Sequence, residues 1–149
     1  MSPQPPSKAW LARLRKLDTR KGREEENRFV AEGWKIVREG FQAGLKCQGL
    51  LIAAPQLESE EWSRLLASFD VAGTEIFTLS ESQFERAAST RSPQGILGVF
   101  ERLTPPGLEF LKSIRGMVVV LDGVQDPGNV GTAIRCAAGL GAEGSAASI

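Results

Sequence analysis

The sequence predicts an α/β protein built as a small α/β sandwich followed by a separate strand–loop–helix unit. Three observations carry that expectation. Short apolar runs alternate with apolar stripes at helical spacing from Arg28 to Phe100. Thr104-Pro105-Pro106-Gly107 then breaks the alternation with residues suited to a linker. Beyond it, five consecutive apolar residues, Met117 to Leu121, run into the polar stretch Asp122 to Asn129 and a further helical pattern.

Taken in order, residues 1–7 carry three prolines and are expected to form a disordered tail. Trp10, Leu11, Leu14 and Leu17 fall on one face of a helix. Around them lie seven basic residues, Lys8, Arg13, Arg15, Lys16, Arg20, Lys21 and Arg23, against one acid, Asp18. Such a run fits either a solvated helix face or a surface for nucleic-acid phosphates. Glu24-Glu25-Glu26 follows at once and limits the patch.

Arg28 to Gly33 reads as a short strand entering a helix whose stripe is Ile36, Val37, Gly40 and Phe41. Gly49 to Ala54 is the next strand, closed by Pro55. Ser59 can cap a helix with Glu60 and Glu61 in its first turn and Trp62, Leu65, Leu66 and Phe69 on its core face. Glu75 to Leu79 is a strand, Ser80 and Gln83 form a capping box, and Phe84, Ala87 and Ala88 line the helix they open. Gly95 to Phe100 is an apolar strand, and Leu108 to Ile114 a short bridging helix.

The run Met117 to Leu121, with three valines, suggests a strand buried on both faces, as in a parallel sheet. Asn129 suits the N-cap of the helix carrying Val130, Ile134, Ala137 and Ala138, and Gly139 and Gly141 are stop signals. A loop between such a strand and helix is where open α/β sheets place ligands. Arg135 leans back toward the helix N-terminus over Gly131 and Thr132. A cation there opposes the helix dipole by up to about 1 kcal/mol, so an anion should accompany it. Asp122, Asp126 and a phosphate from a bound partner all meet that need.

Composition excludes several classes. The chain has 149 residues, zero net charge, 42% hydrophobic residues and no histidine. Its length suits one domain, or a small domain and part of another. Catalysis that needs histidine is excluded, as are the usual zinc spacings, since Cys47 and Cys136 are alone and far apart. Both cysteines are expected to be buried apolar fillers in a reducing, cytoplasmic protein. No apolar run approaches the roughly 18 residues of a membrane span, and no secretory signal is visible. Neither G-x-G-x-x-G nor a phosphate-binding G-x-x-x-x-G-K-[ST] loop occurs.

The segment LDGVQDPGNVGTAIRCAAGLGAEG resembles the first signature motif of the SpoU (TrmH-type) 2′-O-ribose RNA methyltransferases of the SPOUT superfamily. RFVAEGWKIVREGFQAG and SPQGILGVF are similar, more loosely, to the substrate-binding domain that precedes the catalytic domain in many such enzymes. The resemblance implies an RNA substrate-binding domain over 8–101, a linker over 102–115, and over 116–149 the first β–α unit of an incomplete, knotted SPOUT domain. It implies S-adenosyl-L-methionine as methyl donor, rRNA or tRNA as partner, a homodimeric complete enzyme and no membrane. A ribose 2′-hydroxyl would attack the methyl carbon in a direct displacement.

By residue, the resemblance assigns Arg135 to the hydroxyl and Asn129 to shaping the site. An arginine pKa above about 12 argues against Arg135 as a literal base and for orienting the ribose while stabilising developing alkoxide charge. Arg28, Glu32 and the loop with Arg91 and Gln94 are implied in RNA recognition; Arg20, Lys21 and Arg23 join them from the basic run. Glu32 could equally begin its helix favourably, and Arg91 could equally be solvated. The second and third family motifs, which build the S-adenosyl-L-methionine pocket, do not occur in these 149 residues. The chain is thus expected to be an N-terminal piece of an enzyme, inactive alone, with residues 116–149, for want of sheet neighbours, loosely packed, docked on the first domain or sticky enough to self-associate. A non-catalytic RNA-binding module using 8–101 is the alternative.

Overall fold

The structure, a computed structural model, describes residues 4–58, 66–67, 69, 73–88, 90, 92–104, 107 and 109–148. The chain divides into two compact units, Met1–Leu103 and Thr104–Ile149. It is α/β throughout, as the sequence predicts.

The first unit runs α1 (Lys8–Lys16), α2 (Arg20–Glu26), β1 (Arg28–Glu32), α3 (Trp34–Gln42), β2 (Cys47–Ala53), β3 (Glu75–Leu79), α4 (Glu81–Ala87) and β4 (Ile96–Glu101). Its four strands lie in the order β1-β4-β2-β3. β4 is antiparallel to both its neighbours, and β2 and β3 are parallel. Side-chain alternation along the strands divides the core in two. On one face Ala31, Leu50, Ile52, Ile96 and Phe100 pack with Val37 of α3 and with Phe69. On the other, Leu51, Ala53, Leu79, Leu97 and Val99 pack with Leu14, Leu17 and Phe84 of the α1 and α4 layer. The result is a three-layer sandwich with the sheet in the middle.

Local chemistry explains most of the junctions. Ser7 caps α1, its Oγ accepting from the Trp10 amide at 3.1 Å. Ser80 and Gln83 form the expected capping box on α4. Thr19 caps α2 through the Gly22 amide. A Cβ on Gly22 would sit 1.9 Å from the Lys16 carbonyl oxygen, so the α1–α2 corner closes only over glycine. Cys47 shares a face with Leu50 although they are three residues apart; a register shift between Cys47 and Gly49 absorbs the extra residue.

Several expectations need correction. Residues 4–7 are not a free tail: the Gln4 carbonyl accepts from the Thr78 amide at 3.2 Å, and Ser7 holds α1. β2 starts two residues earlier than the strand expected from Gly49, and Ala54–Glu58 continues as a 3-10 turn rather than stopping at Pro55. Ser59, Glu60, Glu61, Trp62 and Leu65 lie outside the described residues. Phe69 is fully buried, its ring 4.3 Å from that of Phe41.

The second unit contains α5 (Glu109–Ser113), β5 (Val118–Asp122), α6 (Pro127–Gly139) and β6 (Gly144–Ser148). β5 is not left without a sheet neighbour: β6 pairs with it in parallel, Val118 opposite Gly144 through Asp122 opposite Ser148. Nor is β5 buried on both faces, since Val120 is 71% exposed. A strand with one partner and one covering helix keeps an open side, whatever its valine content. Cys47 is buried, which pushes its thiol up to about 12, but Cys136 is exposed. On α6 the buried positions are Val130 and Ala137, and Cys136 falls off that stripe.

Candidate nucleic-acid interface and loop site

In the first unit, β1 forms one edge of the described sheet. Over it lies an open groove of about 850 Å³, lined at the rim by Arg15, Arg23, Arg86, Asp18, Glu32 and Thr90. Leu17, Val30, Ala87 and Ala88, which share the α1 and α4 face of the sheet, give it an apolar lining, and Phe29 borders it from β1 with its ring turned to the opposite face against Phe100. Arg23 is held in place, its Nη1 donating to the carbonyls of Leu17 and Asp18 at 2.9 and 3.1 Å. Glu32 accepts a hydrogen bond from the Thr90 hydroxyl. A Cβ on Gly33, which has φ +102, would meet the Gln94 amide oxygen at 2.7 Å. Glu32, Thr90 and Gln94 therefore gather at one end of β1.

Arg28 stands at the strand's other end, roughly 13 Å away at the usual strand rise. It lines a separate hollow of about 140 Å³ with Trp10, Arg13, Glu26, Gln48 and Glu75. Arg20 and Lys21 point to intrahelical partners: Arg20 pairs with Glu24 at 3.0 Å and Lys21 with Glu25 at 3.7 Å. Lys16 pairs with Glu26 at 3.2 Å. The hydrogen bond from Arg20 lowers the Glu24 carboxyl below the ordinary carboxylate range. Exposed pairs of this kind contribute little net stability, so they can open toward a stronger anion. Arg91 lies outside the described residues. Arg15 and Arg86 line the groove although only the fold brings α1 and α4 together; Arg86 carries no signal in sequence.

In the second unit the loop at the C-terminal end of β5 leads into α6. Asp126, not Asn129, is the N-cap: its Oδ1 accepts from the Asn129 amide at 2.7 Å. Pro127 takes the first helical position, where a missing amide and fixed φ cost nothing, which moves the helix start three residues earlier. Asn129 is thereby the third helical residue, with an exposed side chain. Arg135 does fold back as expected. Its Nη2 donates to Thr132 Oγ1 at 3.1 Å, and that hydroxyl donates to the Gly128 carbonyl at 2.8 Å. Its Nη1 lies 3.3 Å from where a Gly131 Cβ would be. Among the described residues Arg135 has no ion pair with Asp122 or Asp126. The structural Arg–Asp clasp is not formed, and the guanidinium is positioned by neutral partners.

From Asp122 to Asn129 every residue but the half-buried Val124 is exposed. This loop offers a wall but no enclosure for an adenosyl group, so these residues alone do not hold S-adenosyl-L-methionine. Among the described residues no three potential ligands cluster for a metal ion, and no helix is long and apolar enough to cross a membrane.

A family model described as the MRM3-like substrate-binding domain matches residues 11–98. The 23S rRNA (guanosine(2553)-2′-O)-methyltransferase RlmP of Bacillus subtilis is 33% identical over 127 residues, covering 85% of this chain and 46% of that protein. The crystal structure of an AdoMet-bound rRNA methyltransferase from Sinorhizobium meliloti is 31% identical with a TM-score of 0.72, over 92% of this chain and 50% of that one. The SpoU methyltransferase AviRb of Streptomyces viridochromogenes, at 22% identity, shares the fold with a TM-score of 0.73, over 95% of this chain and 53% of its own. The chain thus spans about half the length of the relatives it matches. With the substrate-binding domain matched over most of the first unit and the SpoU motif carried on β5–α6, the chain belongs to the MRM3-like family of SpoU/TrmH-type RNA methyltransferases.

Proposed function

We propose that this chain supplies the RNA-recruiting domain and the first catalytic β–α–β unit of an S-adenosyl-L-methionine-dependent rRNA 2′-O-ribose methyltransferase. The observation that carries the reading is Arg135, held over Gly131 and Thr132 beside the loop at the C-terminal end of β5. S-adenosyl-L-methionine supplies the methyl group in the complete enzyme, and residues outside this chain enclose it. Arg135 contributes a positioned cation: it orients the ribose and its phosphate and stabilises charge developing on the 2′-oxygen. Asn129 shapes the approach from the first turn of α6. Methyl transfer by direct displacement needs alignment above all, so an arginine fixed by two hydrogen-bonded links is worth more than a mobile one.

RNA is recruited by the first unit through Arg20, Lys21, Arg23 and Arg28, with Glu32, Arg91 and Gln94 at the end of β1. Residues 8–101 form the recruiting domain, 102–115 the linker and 116–149 the start of the catalytic domain. The complete enzyme works as a homodimer in the cytoplasm. With three to five phosphate contacts, the affinity of the chain for structured rRNA fragments falls with salt at a log–log slope of about −2 to −4. Fluorescence anisotropy over a salt series measures it. A salt-independent signal, or no binding at micromolar protein in low salt, rules the recruiting role out.

A further inference from the structure

The recruiting role as stated uses Arg23 and Glu32 of the groove over β1, but neither its apolar lining nor its other two arginines. Its apolar lining on the α1 and α4 face comes from Leu17, Val30, Ala87 and Ala88, and three arginines line it against Asp18 and Glu32. Arg23 is committed to two backbone carbonyls. Arg15 on α1 and Arg86 on α4 are exposed and, among the described residues, take part in no ion pair. Both also line the adjoining hollow with Leu11, Leu14, Leu79, Gln83 and Ala87, so they stand where α1 meets α4. Elsewhere in this unit Lys16, Arg20, Lys21 and Lys35 each pair with a glutamate, while Lys8 and Arg13, also without an ion pair among the described residues, do not line this groove. Two arginines left unpaired at the rim of one groove repel each other mildly, and an anion between them would relieve it.

We propose that this groove holds an unpaired RNA segment, with Arg15 and Arg86 on successive phosphates and a base against the apolar lining of Val30, Ala87 and Ala88. The inference rests on the RNA-recruiting role and names the form of RNA that the site takes. A duplex presents two phosphate rows and keeps its bases stacked inward, so it gains nothing from a concave apolar floor. An unpaired strand can turn a base into it, as single-strand binders do with a cationic track beside an apolar or aromatic platform. At about 850 Å³ the groove is near the upper end of small-ligand sites, room for more than an isolated phosphate. Guanidinium suits the rim because its planar fork bonds two phosphate oxygens at once.

The test is anisotropy titration of the full chain with a labelled unstructured oligoribonucleotide and with a fully paired RNA hairpin, each over a salt series. The wild-type chain should prefer the unstructured strand by about tenfold or more. Arg15→Gln with Arg86→Gln should flatten the salt slope by about 1.4, two lost contacts at roughly 0.7 each for single strands. Lys35→Gln, on α3 across the sheet, should leave the slope unchanged. Circular dichroism confirms that the exposed substitutions keep the fold, and Arg86→Glu should weaken binding further than Arg86→Gln. If wild type binds with the expected salt slope but the double variant binds alike, or the hairpin binds as tightly, the groove assignment fails and RNA recruitment stands. If wild type shows no salt-dependent binding to either RNA, both fail.

Discussion

Replacing Arg135 by alanine in the complete enzyme lowers methyl-transfer turnover by at least about a hundredfold while leaving RNA affinity within about twofold. Loss of a positioned donor at a developing oxyanion typically costs two to three orders of magnitude. The twofold limit on affinity follows from the recruiting role proposed for the first unit, which would supply most RNA contacts in place of α6. Stability should hardly move, since Arg135 is exposed and its partner is a surface threonine hydroxyl. Arg135→Lys should fall between, keeping the charge but losing the fork that reaches Thr132 and substrate together. Steady-state kinetics with parallel thermal melts separate the outcomes. Near-normal turnover with a lowered melting temperature would make Arg135 a structural brace of the loop.

Phe100→Ala should destabilise the first unit by about 3–5 kcal/mol, a large part of the roughly 5–15 kcal/mol a domain possesses. Phe100 is fully buried on β4 and stacks on Phe29 with ring centroids 5.8 Å apart. Its ring also lies over Gly98 and Gly40, 2.7 and 3.3 Å from where their Cβ atoms would stand. Those glycines have no side chains to move into the void, so the cavity relaxes poorly and the cost sits high in its range. All three tryptophans lie in this unit, so urea unfolding followed by tryptophan fluorescence reports on it alone. RNA affinity should drop in step with the unfolded fraction. A shift below about 1 kcal/mol would mean that Phe100 is not a core residue.

Features that depend on a few neighbouring residues were legible in the sequence. The Ser80–Gln83 capping box, the strand Glu75–Leu79 and the fold-back of Arg135 over Gly131 each follow from spacing within one turn or one strand. Asn129 reads as the N-cap in the sequence because Pro127 and Gly128 look like loop residues, although proline is well suited to the first position of a helix and Asp126 is the cap. β6 was missed for a different reason. Gly144-Ser145-Ala146-Ala147-Ser148 has little strand propensity of its own, and its conformation comes from pairing with β5, more than twenty residues upstream. The same holds for the groove. Arg15 could be seen in the basic run, but nothing local marks Arg86, which matters only once α4 packs beside α1. The valines of β5 suggest burial, but burial depends on what covers a strand rather than on the strand.

Transfer of a methyl group to a ribose 2′-oxygen is measured most directly through the chemistry of RNA cleavage. Alkaline hydrolysis requires a free 2′-hydroxyl as nucleophile, so a 2′-O-methylated linkage survives it. The complete enzyme is incubated with unmethylated ribosomal RNA and S-adenosyl-L-methionine labelled in the methyl group, and the RNA is then hydrolysed to completion in alkali. Label is expected in an alkali-resistant dinucleotide and is lost in the Arg135→Ala protein. Label confined to mononucleotides would place the methyl group on a base and contradict the account, as would RNA that takes up no label.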